Sequence, residues 1–526
     1  MILDVTHLKN IERGLSLNNK MGKYLFVGCF PGSYEMGMAN LGYQSVLKTV
    51  FDCPQWRVER LFTDTGIRTF EKSTPVAEAD IVGLTLGFEI EIFSLVQLLL
   101  VSGFEVYANE REENQPLVLV GGPLASLNPE IIAPFADVIF VGESEESLPD
   151  LLAAWEEAQD FGLNRQETLL YLSRFPGVYV PRFYFPQVSG TFFKGFKKID
   201  TVPEQIQQQR VDISRFEVFS HIYTPQSYFK NMGLMEINRG CSYRCRFCAG
   251  GAIYRPLRQR PIEMVLKMIN NLKKWTSHLG IIGSDVLSHP QWEDIIKYAI
   301  KNQFTVNFSS LSAITLSRHR EYLPYLVKCG IKTLTLAPES GEVKTRQYFG
   351  KGLDDEEWTD LIENIIRLGI PKVKLYFMIG KTFHSAEKDL DFIHKLCRKI
   401  NSNHQLSISY SFLVPKPHTN LENMKTLSFL AWRKERELFE TGLKKMKIRF
   451  SGESLRVAWI ELLLARADRF LAQEIPKLVG QKNGLVFNQW RTVMEKMGRD
   501  FDEWPRHPWE DGLFPWSIID NEARNQ

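Results

Sequence analysis

Three cysteines, Cys241, Cys245 and Cys248, stand in C-x3-C-x2-C spacing within MEINRGCSYRCRFCAGG, residues 235–251. Thiolates are the ligands of iron–sulfur clusters, and a 4Fe–4S cluster held wholly by protein takes four of them. Three on one loop leave one iron open to chelate a substrate or cofactor. A zinc knuckle and three unrelated buried thiols are the competing readings. Zinc sites usually show a second pair of Cys or His, and none follows here. The remaining cysteines, Cys29, Cys53, Cys329 and Cys397, lack ligand-like spacing and read as small buried hydrophobes.

These residues need elements to position them. The cysteine loop follows a short apolar strand, LMEIN (234–238), and strand-like runs recur at 279–283, 304–310, 331–337, 373–380 and 406–412. Helical patterns such as PIEMVLKMINNLKKW and DDEEWTDLIENIIRLG separate them. The spacing, with Phe247 before the last cysteine, resembles the radical S-adenosylmethionine (SAM) enzymes, and the six strand–helix units match that family's partial (β/α)6 barrel. In such barrels chemistry gathers at the carboxyl ends of the strands.

The resemblance implies a 4Fe–4S cluster on the three cysteines and SAM beside it. Phe247 would lie by the adenine. Gly283, Ser284 and Asp285 would meet the amino group, with Asp285 only a partial match to the family's usual glutamate. Ser309, Ser310 and Ser312 would meet ribose or carboxylate, Glu339 would make a polar contact, and Met378, Ile379 and Gly380 would offer backbone to adenine. Taken singly, each of these also reads as a cap or turn. Tyr254, Arg255 and Arg258 past the cluster and His418 in VPKPHT are candidates for substrate contact or proton transfer; the plainer reading is a loop anchor and an incidental histidine.

The first 160 residues alternate strand and helix as well. YLFVGC, IVGLTLGF, PLVLVGG and ADVIFVGE are short buried runs, which implies a doubly wound, Rossmann-like parallel sheet. Ligands of such sheets bind at the strand carboxyl ends. LVGGPLASLNPE and FVGESEE are similar to stretches of the cobalamin-binding domain that precedes the core in one radical SAM subclass. That likeness implies cobalamin near Tyr34, Gly37, Thr85, Gly87, Gly121, Gly122, Pro123, Gly142, Glu143 and Glu145. The loop from Cys29 to Gly37 lacks the Asp-x-His-x-x-Gly of many such domains, so no axial histidine is expected. A domain that kept the fold and lost the cofactor is the alternative.

The expected layout is a cobalamin-type domain over 1–160, a connector with a hairpin turning at Ser189–Gly190 over 161–230, the barrel over 231–422, and a mainly helical, aromatic-rich extension over 423–526. A formal net charge of +2 and 24% charged residues argue against a nucleic-acid track. No apolar run is long enough for a membrane span, and a cytoplasmic enzyme is expected. The activity that the resemblance implies is cobalamin-dependent methylation of an unactivated carbon, or another poorly nucleophilic atom, of a small molecule or peptide, with an electron donor such as flavodoxin or ferredoxin. Radical chemistry without methylation and a non-catalytic cobalamin or redox sensor are the rivals.

Overall fold

Seven consecutive buried residues, Tyr24–Phe30, form the interior strand β1 of a six-stranded sheet. The computed structural model describes residues 4–521 apart from 191, 310, 384, 401–404, 481–483 and 511. Its contacts divide into two units. The first comprises Met1–Asn231, Leu463–Phe501 and Pro508–Gln526, and the second Met232–Leu462 and Asp502–His507.

In the first unit β1 lies between β2 (Trp56–Phe62) and β3 (Ile81–Thr85), followed outward by β4 (Leu117–Gly121), β5 (Val138–Phe140) and the antiparallel β6 (Val178–Tyr179). Strands β1 to β5 are parallel. This is the doubly wound order 2-1-3-4-5, whose switch point falls between β1 and β3. Strand β2 escapes the sequence reading because Arg57, Glu59 and Arg60 interrupt its apolar pattern. Two of them are buried with partners, as buried charges must be. Arg60 binds Glu71 at 2.6 Å and Glu12 at 2.7 Å, and Glu59 accepts from the Thr74 hydroxyl at 2.9 Å.

Residues expected as a separate connector belong to this unit. The hairpin forms as expected, β7 (Tyr184–Ser189) against β8 (Phe192–Lys198). Beyond it, Gln209 bridges in parallel to Gly142 at the end of β5.

The second unit holds parallel strands in two sheets: β9 (Met232–Glu236), β10 (His278–Ile282) and β11 (Thr305–Phe308), then β12 (Thr333–Glu339), β13 (Lys372–Ile379), β14 (Leu406–Phe412) and β15 (Arg449–Gly452). The Leu311 amide donates to the Thr335 carbonyl at 3.4 Å, where the sheets meet. Helices bury apolar stripes between strands, as Val265, Met268, Ile269 and Leu272 do in α1 (Ile262–Lys273). Strand β15 falls where the sequence suggests a helical extension. The helix α4 (Phe429–Lys445), numbered after α2 (Val343–Phe349) and α3 (Asp355–Arg367), leads into it and adds one more helix–strand repeat. The expected extension is therefore divided, with residues from Leu463 to Phe501 and from Pro508 onward in the first unit. Among the described residues no helix is long and apolar enough to cross a membrane.

Candidate active site at the cysteine loop

After β9 the chain makes a two-residue antiparallel ladder, Asn238 with Gln259 and Arg239 with Arg258, which closes the base of the cysteine loop. Glu236 anchors it, taking Arg239 at 2.9 Å and the buried Arg260. Burial alone would raise the Glu236 carboxyl, but the two guanidiniums hold it below its ordinary range. Gly240 opens the loop at φ +80°, and a Cβ there would stand 2.2 Å from the Pro256 carbonyl oxygen; only glycine fits. Cys248 begins the short helix Ala249–Ile253, its Sγ accepting from the Gly251 amide at 3.3 Å. From the other side Gly350, at the end of α2, packs on the loop so closely that a Cβ would lie 3.3 Å from the Arg244 carbonyl.

The three thiols are half-buried. Burial pushes Cys241 up to about 11, and Asp285 and the other two cysteines add to the effect. Burial also raises Cys245, while Lys351 and Arg255 oppose it. Ligation must therefore displace protons. An all-sulfur donor set with cations beside it suits iron–sulfur or zinc. A 4Fe–4S cluster takes each thiolate on a separate iron, and three sulfurs from one loop are the donor set it needs.

Around the loop, the strand ends present polar groups. Asn238 donates from Nδ2 to the Asp285 carbonyl at 2.6 Å, but its Oδ1 is buried without a partner. The Oδ1 of Asp285 is in the same condition, and burial raises this carboxyl. A Cβ at Gly283 would stand 2.2 Å from Asn238 Oδ1. Two orphaned acceptors, one past the end of β9 and one past the end of β10, are what the ammonium of SAM would satisfy, so these residues fit it. Ser284 is exposed, and Ser309 bridges to the Gly283 carbonyl at 3.2 Å. Ser310 lies outside the described residues. The Ser312 hydroxyl caps the helix Ala313–Arg318 by accepting from the Thr315 amide at 3.2 Å, the cap that the sequence also offered for it.

Glu339 ends β12 with φ +63° and is buried. Its carboxylate lies 3.7 Å from Lys351, and its carbonyl accepts from Lys381, which also pairs with Asp389 at 3.0 Å. Burial raises the Glu339 carboxyl, against Lys351 and Lys381. Lys351, Lys381 and Asn238 were not foreseen. Lys351 stands far from the cysteines in sequence, yet it is a charged neighbour of all three.

Phe247 packs against a buried apolar cluster of Phe349, Met378, Leu413 and Leu421. Its ring meets Phe349 at 5.3 Å. Cysteine loop, β13 end and β14 end thus share one apolar lining, suited to a flat aromatic ligand. Ile379 is buried in its strand, and Gly380 turns at φ +76° with its carbonyl accepting from the Trp432 indole at 3.2 Å.

Among the substrate candidates, Arg258 folds back on the carbonyls of Pro256 and Tyr254 at 3.4 and 3.2 Å. It braces the loop, and Tyr254 supplies one of the acceptors. Arg255 reaches the Tyr243 carbonyl at 3.4 Å and keeps Nε buried without a partner. His418 is buried at φ +62°, its amide held by Glu422 at 2.8 Å.

The residues expected at cobalamin behave differently. Gly122 has φ +97°, and a Cβ would stand 2.5 Å from the Leu86 carbonyl; at Gly142, φ +111°, it would stand 2.3 Å from that of Gln209. Gly121 accepts from the Leu86 amide, and Pro123 starts a short buried helix. Glu143 accepts from the Val211 amide at 3.0 Å, and Glu145 is buried. Tyr34 is buried and bonded to Glu12, Gly37 packs on Phe62, and the Gly87 amide is held by Glu91. Thr85 pairs with Gly121 in register. Backbone of the same chain fills the ends of β4 and β5 at Gly122 and Gly142, and side chains pack on Gly37 and Gly87, so this residue set does not fit cobalamin. Space remains at the switch point, a cavity of about 400 Å³ lined by residues such as Phe30, Pro31, Leu84, Phe93, Gln97 and Leu98.

Two family models match this chain, one described as "Radical SAM proteins, N-terminal" over residues 42–181 and one as "Radical SAM superfamily" over residues 235–393. The second match holds the cysteine loop and the strands through β13, so residues 235–393 form a radical SAM domain. It is 26% identical over 419 residues to the uncharacterized protein MJ0966 of Methanocaldococcus jannaschii, covering 78% of this chain and 83% of that one. Among solved structures it is similar to OxsB, a cobalamin-dependent SAM radical enzyme seen with aqua-cobalamin and SAM bound, at 16% identity and TM-score 0.50. The match covers 81% of this chain and spans only 56% of OxsB. TsrM of Kitasatospora setae, a radical SAM methyltransferase, aligns over 76% of this chain and 75% of its own at 13% identity and TM-score 0.46.

Proposed function

We propose that Cys241, Cys245 and Cys248 hold a 4Fe–4S cluster, that SAM binds beside it, and that the enzyme acts on a small molecule or peptide. The observation that carries this is the pair of buried, unpartnered acceptors, Asn238 Oδ1 and Asp285 Oδ1, at the strand end next to the cysteine loop. Together the cluster and SAM supply a one-electron cleavage that yields a carbon radical able to take hydrogen from an unactivated position. The protein's part is to position and to exclude water. Asn238 and Asp285 accept from the amino group, Phe247 and Met378 flank the adenine, and Glu339 with Lys351 holds charge beside the thiolates. Protein reconstituted with iron and sulfide under anaerobic conditions is expected to carry about four irons per chain, the count of the cluster. With dithionite it is expected to convert SAM to 5′-deoxyadenosine. Cys245→Ala should abolish both; iron retained at the same level in that variant would sink the proposal.

A second reading, cobalamin-dependent methyl transfer, is favoured by one observation, the cavity at the switch point of the doubly wound sheet. It requires cobalamin to sit elsewhere than on the filled strand ends. Bound corrinoid in the optical spectrum, and S-adenosylhomocysteine formed along with 5′-deoxyadenosine, would establish it. Four irons without corrinoid would eliminate it.

A further inference from the structure

The two residues flanking Cys245, Arg244 and Arg246, are exposed. The Arg246 guanidinium lies over the Tyr348 ring at 4.6 Å, and Tyr348 meets Phe383 at 5.1 Å. Both rings are large exposed apolar groups, 39% and 43% accessible. Lys344, one turn before Tyr348 on α2, is exposed too. Beneath this pair Phe349 touches both rings, at 5.8 and 5.9 Å, and Phe349 in turn meets Phe247, the neighbour of Cys248. The cysteine loop therefore lies two rings below an exposed aromatic pair that carries Arg246 over one ring, with Lys344 one turn away on α2 and Arg244 exposed on the loop itself.

Exposed aromatics with arginine are the composition of interface cores. Cations around them select an acidic partner and speed its encounter. The chain as a whole carries only +2, so the steering field has to be local. We propose that this patch docks an acidic one-electron carrier protein, which is oxidised by one electron as the cluster is reduced by one. The inference rests on the radical SAM reading above and adds where the electron enters.

The test uses the full chain with its cluster reconstituted. Cluster reduction is followed by stopped flow and by electron paramagnetic resonance, with reduced flavodoxin and, separately, with dithionite. The wild-type rate with flavodoxin should fall as salt rises. Arg244→Glu with Arg246→Glu should slow it by about tenfold at low salt and remove the salt dependence. Iron content and dithionite-driven 5′-deoxyadenosine formation should not change. Since both arginines sit on the loop, Lys344→Glu with Tyr348→Ala on α2 is the second variant, expected to slow the carrier severalfold with the cluster intact. A plant-type ferredoxin in place of flavodoxin should respond in the same direction. Carrier rates unchanged in the α2 variant would overturn the proposal, as would a raised KM for the organic substrate with carrier rates intact, which would make the patch a substrate surface. No 5′-deoxyadenosine from wild type with dithionite would overturn the underlying reading, and this inference with it.

Discussion

The strand ends of the two units carry the same kind of residue and use it in opposite ways. In the first unit, Gly122 and Gly142 are glycine because backbone of the same chain, at Leu86 and Gln209, occupies the space a side chain would need. In the second, Gly283 gives way to Asn238, whose Oδ1 is then left, with that of Asp285, buried and unanswered. Glycine at a strand end reports close approach, and only the condition of the polar atoms around it tells whether the neighbour is the chain itself or a ligand. A filled end is complete as folded, whereas an end with orphaned acceptors holds them at a cost of about 1–3 kcal/mol each.

The comparison breaks most visibly at Gly142. Gly142→Ala forces a side chain into a left-handed position 2.3 Å from the Gln209 carbonyl, and should cost about 3 kcal/mol or more in stability. SAM binding should not change. Calorimetry of the variant checks this, and an unchanged unfolding midpoint would mean the site is open after all. Asp285→Ala should do the reverse. It removes a carboxylate with a buried unpartnered oxygen, so the unfolding midpoint should hold or rise. SAM affinity should fall tenfold or more, as loss of a hydrogen bond between charged groups worth about 1.5–3 kcal/mol implies. Titration calorimetry on the reconstituted protein measures it, and undiminished affinity would remove Asp285 from the site.

The smallest effect concerns Glu453, just past β15, which accepts from the Phe412 amide at 3.0 Å. Burial, and then Glu461, push its carboxyl from 4.5 up to about 7. The folded state thus holds this proton more tightly than the unfolded chain. The stabilisation is complete below pH 4.5 and is lost as pH rises through about 7. Over that interval this group should withdraw no more than about 3 kcal/mol, and less once solvent screening of the part-exposed carboxyl is counted. Thermal unfolding in a pH series should show the loss, and Glu453→Gln should flatten it.

What the sequence disclosed depended on whether a signal was local. The cysteine spacing, Phe247 beside it and the apolar runs of β9 to β14 are contiguous, and periodicity sufficed to order them. Strand β2 was hidden because Arg60 and Glu59 sit at buried positions whose partners, Glu12, Glu71, Thr69 and Thr74, come from other segments. Asn238 looked like the last residue of a strand, and its orphaned oxygen exists only once Gly283 lies beneath it. Lys351 has no motif of its own and reaches the thiols because Gly350 lets α2 end against the cysteine loop. Ser312 could be read either way because a serine before a helix and a serine before a ligand look alike in sequence. The filled ends at Gly122 and Gly142 could not be told from ligand cradles, since the filling backbone is remote in one case and across a strand in the other.

The ladder of Asn238 and Arg239 with Gln259 and Arg258 has a consequence for how metal is acquired. Closing a chain segment costs conformational entropy, and here hydrogen bonds of the backbone meet that cost before any ligand arrives. Chelation by three thiols then orders little that is not already ordered, unlike the small zinc modules whose folding waits for metal. A chain deprived of iron should therefore stay folded and receptive, as a preformed mould that can be loaded, emptied by oxygen and loaded again.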